Sequence, residues 1–303
     1  MGNRERWLTE DGRRTAAKVL RRLSGRRSLD GLGLPTVDGR LDLRGFTLAE
    51  PGFTPVQAAG LTAGVPDSPL PELRRSRLRG VDLSEARLRH LKLVDAHFED
   101  CLLRGADLTN LGTWRGEFDR CDLSGADLTD AVLSARHRGT GTTWRDCTFD
   151  DLTMNGVVVD GATFERCTFD RVRIAGMVFE RCAFTACRIS GEIENVTFTG
   201  AGPSAMIDLD LRGCRLTDVS FTGLRLSGVR LPARDSLTIV PDATGILGRL
   251  RATGHPELEF WVGYQLKHHS PGDDLFLDYD SLRGIVGDPG TALIRDIVSR
   301  AAG

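Results

Sequence analysis

Arg104-Gly-Ala-Asp-Leu-Thr109 returns twenty residues later as Ser124-Gly-Ala-Asp-Leu-Thr129, and Asp146-Cys-Thr-Phe-Asp150 returns in the same way as Arg166-Cys-Thr-Phe-Asp170. A shorter beat runs inside these copies. Large apolar residues fall every five positions at Leu78, Leu83, Leu88, Leu93, Phe98, Leu103 and Leu108, then at Phe118, Leu123, Leu128 and Leu133, with Thr113 the exception. The phase then advances by one and holds from Trp144 through Phe149, Phe164, Phe169, Phe179 and Phe184 to Ile189; Phe198 marks another shift, and Leu211 to Leu231 form a last block. A period of five is neither the 3.6 of a helix nor the 2 of a lone strand. It is the mark of stacked repeat units, each too small to bury its own apolar residues.

Two residues before each centre stands a second, smaller apolar residue, and all seven cysteines (101, 121, 147, 167, 182, 187 and 214) take that slot. They read as small buried hydrophobes. Their odd number, in a chain whose first residues lack the apolar run of an export signal, predicts reduced thiols and a cytoplasmic protein. Ten glycines, from Gly80 to Gly228, sit two after a centre, where the chain must turn. Asp82, Asp107, Asp122 and Asp127 sit one before a centre, placed to accept from nearby backbone.

Arg104-Gly-Ala-Asp-Leu-Thr109, its copy at 124 and Leu211-Arg-Gly-Cys-Arg-Leu216 resemble the A-[DN]-L-x-x motif of the pentapeptide-repeat family. The resemblance implies a mainly β fold: a right-handed quadrilateral parallel β-helix, four repeats to a coil, with the centre and the small residue pointing inward. Residues twenty apart then stack, and seven or eight coils result. Solenoids of this kind need capped ends.

The expected organisation is an N-terminal amphipathic helix over 1–37, read as a cap with a basic nucleic-acid or membrane arm as the alternative, a β-helix over 38–231 and a C-terminal helical region over 232–303. Ala16, Val19, Leu20 and Leu23 give the cap its apolar stripe. Excursions from the coil are expected at 51–71, 134–143 and 190–206, and helices at 242–251, 256–268 and 291–302. Phe260, Trp261, Tyr264 and Phe276 cluster in the tail and are expected to be buried, in its own core or across a homodimer interface.

Acidic and basic residues nearly cancel, 42 against 40, so bulk charge points to neither direct nucleic-acid binding nor a membrane. Along the chain the charge is zoned. The middle coils are acidic through Asp119, Asp122, Asp127, Asp130, Asp150, Asp151, Asp160 and Asp170, while residues 1–30 and 71–94 are basic. The resemblance extends to family members that protect DNA gyrase from quinolones as duplex mimics, which implies a topoisomerase-binding, self-protecting, antibiotic-resistance role. The acidic residues and the loop Arg136-His137-Arg138 are then the contact surface. Two alternatives are a scaffold or adaptor without mimicry, and an enzyme or ligand site in the tail or a loop-lined groove. No nucleotide-, metal- or nucleophile-elbow motif occurs, and no cofactor is expected. His268, His269 and Asp274 form the one weak metal candidate.

Overall fold

The computed structural model describes residues 2–48, 53–58, 61–66, 70–137, 139–200 and 205–302, with backbone only for 53–58 and 61–66. The chain is a parallel β-solenoid of about 8 turns with helices at both ends. Each turn is square because each five-residue unit supplies one short strand and one corner. The walls are parallel ladders: Phe98 pairs with Phe118, Phe118 with Trp144, Trp144 with Phe164 and Phe164 with Phe184. Along this run the step is twenty residues except between Phe118 and Trp144, where six extra residues form the excursion after Ser134; further on, Phe184 pairs with Met206 and Phe198 with Phe221, so longer steps recur.

The predicted inward slots are inward. Every centre from Leu78 to Leu226 is buried, Thr113 among them, and so is every cysteine. Phe118 stacks on Trp144 at 3.9 Å, Phe164 on Phe184 at 4.8 Å, Phe149 on Phe169 at 4.7 Å, and Phe198 lies between Phe179 and Phe221 at 4.8 and 4.7 Å. Cys167 and Cys187 are on adjacent coils, the amide of Cys167 donating to Sγ of Cys187 at 3.4 Å. Each thiol in the column donates to a carbonyl of the coil beneath, as Cys147 does to Phe118 and Cys187 to Phe164. Burial pushes the thiols of Cys182 and Cys214 up to about 12, so both stay protonated. Thr113 is explained by the excursion: its hydroxyl donates to the Leu133 carbonyl and lies 2.9 Å from that of Thr142, closing a small polar core where the chain leaves the coil.

The corners are left-handed. Nine of the ten corner glycines have positive φ; Gly213 does not. Arg, Asp, Asn, Glu, His and Ala fill other corners at φ near +55°. A side chain there costs on the order of 1 kcal/mol. Ala186, exposed and at φ 52°, offers no interaction in return. Ala186→Gly is expected to raise stability by about 0.5–1 kcal/mol in urea denaturation.

The ends are sealed as expected. Helices α1 (Glu5–Leu8) and α2 (Glu10–Ser24) lay Trp7, Val19 and Leu23 on the first coil. Arg6 donates to Asp42 at 2.7 and 2.8 Å and to the Arg44 carbonyl, and the Trp7 indole donates to that same carbonyl at 2.8 Å. Gly45 must lack a Cβ, which would lie 2.5 Å from the Asn3 carbonyl carbon. At the other end Phe276 meets Phe221 edge-on at 5.0 Å. Helices α3 (Ala243–Ala252), α4 (Pro256–His268) and α5 (Tyr279–Ala302, broken at Gly287) surround a separate small core that includes Leu247, Leu258, Trp261 and Ile294.

Two sequence expectations need correction. The excursion at 190–206 was expected to hold a strand around Phe198, and it does, but that strand is part of the wall: Arg188–Thr199 is one strand, paired on both sides. A register shift between Phe169 and Val172 lets Phe198 join its aromatic column although it lies only nineteen residues from Phe179. The segment at 51–71 carries an antiparallel hairpin, Phe53–Ala58 against Leu61–Pro66, where a plain loop was expected.

Candidate partner-binding surface

The aspartates expected to form an acidic face are distributed around the rod by the coil itself. Consecutive units occupy consecutive walls, so Asp119 lies on one wall, Asp122, Asp150 and Asp170 on the next, Asp127 on the third, Asp160 on the fourth, and Asp130 and Asp151 at corners. They make a belt rather than a face.

Five of the eight are neutralised by arginines, mostly on the neighbouring coil. Arg104 reaches Asp122 at 2.5 Å, Arg171 reaches Asp151 at 2.6 Å, Arg181 reaches Asp160 at 2.6 Å, Arg188 pairs with Asp170 and Arg120 with Asp119. Corner pairs Asp95–Arg115 and Asp146–Arg166 extend the pattern. Residues about one coil apart stack, so a corner aspartate and a corner arginine twenty apart must meet. The Arg171 guanidinium holds the Asp151 carboxyl below the usual range. For Asp122, burial would raise the value, but hydrogen bonds from Ser124 and Arg104 outweigh it.

Asp127, Asp130 and Asp150 make no ion pair among the described residues. The Asp127 carboxylate accepts from the Thr129 amide at 3.0 Å, the backbone role expected of this position, repeated at Asp82 and Asp122. Asp150 accepts from the Asp170 amide and the Thr168 hydroxyl. Asp127 and Asp150 thus present charge from adjacent walls of adjacent coils.

The loop residues do not project freely. His137 bridges back to Thr140, and the Arg136 stem lies over Gly161 of the next coil. His137 lines a cleft of about 300 Å³ with Lys92, Val94 and Trp114. Arg138 lies outside the described residues.

The tail residues separate. Trp261 is buried in the tail core, and Phe276 joins the solenoid stack. Phe260 and Tyr264 are 82% and 50% exposed, contrary to the burial expected of them within the chain, because they occupy the face of α4 opposite Leu258, Trp261 and Val262. The metal candidate does not assemble. His268 is exposed against Tyr264, the His269 ring faces the Gln265 carbonyl, and Asp274 accepts from the Leu226 amide, pinning the tail to the last coil. No group of three ligand side chains converges among the described residues.

Sequence reasoning missed an arginine-lined cleft between the N-terminal cap and the first wall. The alternation Arg77-x-Arg79 was its visible half; the approach of Arg26 and Arg27 was not visible.

The pentapeptide-repeat family model matches residues 72–110 in eight copies. Residues 72–110 are thus pentapeptide repeats, and the solenoid they belong to has the pentapeptide-repeat fold. Among solved structures it is similar to trypsin-treated QnrB1, a plasmid-mediated fluoroquinolone resistance protein, at 19% identity over 50% of this chain and 71% of that one, with a TM-score of 0.30. It is also similar to HetL, a pentapeptide repeat protein involved in heterocyst differentiation regulation from the cyanobacterium Nostoc sp. strain PCC 7120, at 17% identity over 72% and 97%, with a TM-score of 0.23. No curated protein matches the chain.

Proposed function

We propose that this protein is a non-enzymatic binder of a protein partner, and that the partner is a topoisomerase of the gyrase type, engaged through acidic residues that take the place of DNA phosphates. The observation that carries this reading is the pair of unneutralised carboxylates, Asp127 and Asp150, on adjacent walls of a rigid rod, with Asp130 at the next corner. A basic groove shaped for a duplex accepts a rod of matching width that offers carboxylates where it expects phosphates. The exposed Phe260 and Tyr264 suit a second contact, with the partner or with a second copy of this chain.

The test is a supercoiling assay with and without a topoisomerase poison. The protein is expected to inhibit supercoiling or to rescue it from the poison, and Asp127→Lys with Asp150→Lys is expected to weaken that effect at least tenfold, about 1.4 kcal/mol. No effect of the unaltered protein at micromolar concentration would refute the reading.

A second reading, a scaffold that binds a protein without mimicking DNA, is favoured by the arginine pairing of five belt aspartates, which reduces the negative potential of the rod. It is distinguished by a partner retained by the double variant. No helix among the described residues is long and apolar enough to cross a membrane.

A further inference from the structure

The two basic stretches of the sequence, far apart in the chain, converge in space. Helix α2 ends in a Schellman turn: the Arg27 amide donates to the Arg22 carbonyl and the Arg26 amide to that of Leu23. This turn carries Arg26 and Arg27 to one side of a cleft of about 690 Å³, whose other side is the strand Arg77–Arg79 and the corner residue Arg75. Asp30 is the one acidic residue lining it, and its carboxylate accepts from the Ser28 hydroxyl. A second cleft of about 750 Å³ continues along the same wall and shares Arg75, Arg77 and Arg79, but Asp95, Glu99 and Glu117 line it too, so the basic surface is concentrated at the first.

These arginines are not committed to partners in the manner of the corner ladders. Arg26, Arg27 and Arg77 make no ion pair among the described residues. Arg75 and Arg79 stand 3.8 and 3.6 Å from Asp95 and Glu99, beyond hydrogen-bond reach, with side chains 67% and 79% exposed. Arg26 moreover holds φ 56° at the position where a helix end favours glycine. Glycine there would relieve strain, so Arg26 can be removed without a cost to the fold.

We infer that the capped end binds the phosphate backbone of double-stranded DNA. Arg77 and Arg79 leave the same side of one strand about 6–7 Å apart, two residues at the strand rise. That is close to the separation of successive phosphates along a nucleic-acid strand. Guanidinium forks suit phosphate oxygens. Among the described residues no Phe, Tyr or Trp lines either cleft and His97 is the single ring in the second, so neither offers the run of rings on which successive unpaired bases stack. A duplex keeps its bases stacked and paired and turns a continuous line of phosphates outward, and phosphates are what the guanidinium groups can hold. Overall neutrality conceals this site, because the belt cancels in the sum what the fold separates in space.

The inference stands apart from the proposed partner, since its test contains no topoisomerase. A fluorescent 20-base-pair duplex of mixed sequence is titrated with the full chain and followed by anisotropy. Binding is expected at 50 mM salt, weakening about 40- to 150-fold by 200 mM, as engagement of about three to four phosphates requires. Arg26→Gly is expected to melt no lower than the unaltered protein yet to bind about five- to tenfold more weakly, with a shallower salt slope. Arg77→Glu should abolish binding, whereas Arg249→Glu, on tail helix α3, should leave it unchanged.

Vesicles containing 30% anionic phospholipid provide the competing arm. Binding to vesicles without binding to the duplex would overturn the inference. So would duplex binding that is indifferent to Arg26→Gly and Arg77→Glu, or no duplex binding at 50 mM salt.

Discussion

Phe184→Ala is expected to destabilise the protein by about 4 kcal/mol, the largest effect of any single substitution considered. Phe184 is fully buried and stands at the junction of the aromatic columns: stacked on Phe164 at 4.8 Å, edge-on to Phe179 at 5.5 Å and to Phe198 at 6.0 Å, and tilted to Phe169 at 6.3 Å. Removing the ring forfeits its transfer free energy and opens a cavity that the walls cannot close. Their spacing is fixed by ladder hydrogen bonds on both sides, so collapse into the hole would break backbone pairing. Phe184→Leu fills most of the space and should cost about 1–1.5 kcal/mol. Guanidinium denaturation of the two variants provides the comparison; equal midpoints would show that the columns are not the source of stability.

The second large effect falls at the cap. Asp42 is almost fully buried and receives Arg6, reaching down from α1, and Arg44 on its own coil. Asp42→Ala would leave the largely covered Arg6 guanidinium without its counter-charge, at a cost of about 3 kcal/mol. Burial by itself would raise the Asp42 carboxyl, but hydrogen bonds from Arg6 and Arg44 outweigh it and hold the group far below its ordinary 3.8. A depressed carboxyl stabilises the folded state above its unfolded value and loses that contribution as the pH falls toward the folded one. The stability gap between the unaltered protein and Asp42→Asn is therefore expected to be full at pH 6 and to shrink below about pH 3.8. A gap that widens in acid would contradict this assignment.

The five-residue beat made the interior readable because it acts on the same atoms in every unit: a centre that must be apolar, a small neighbour, and a corner. Trp144 and the seven cysteines could be placed inward from phase alone. Arg188–Thr199 could not be, since a single register shift disguises a paired strand as a break in the pattern. Charge was less readable than burial. Asp119, Asp122 and Asp127 are near neighbours in sequence and are sent to three different walls, while Asp151 and Arg171, twenty apart, are brought to 2.6 Å. A segment total therefore overstates the field that a partner meets. In the tail, aromatic content signalled a core but could not tell the buried Trp261 from the exposed Phe260, because adjacent residues on a helix face different ways.

Every functional statement depends on residues twenty apart being equivalent places on adjacent coils, and removing one coil tests this directly. Deleting residues 148–167 joins Cys147 to Thr168 and brings Trp144 beside Phe184 in the positions that Trp144 and Phe164 now occupy. The shortened chain is expected to keep β-rich circular dichroism and a single cooperative melt, whereas deleting only 148–157 is expected to abolish both. Loss of cooperative folding in the first deletion, or its survival in the second, would contradict the twenty-residue coil.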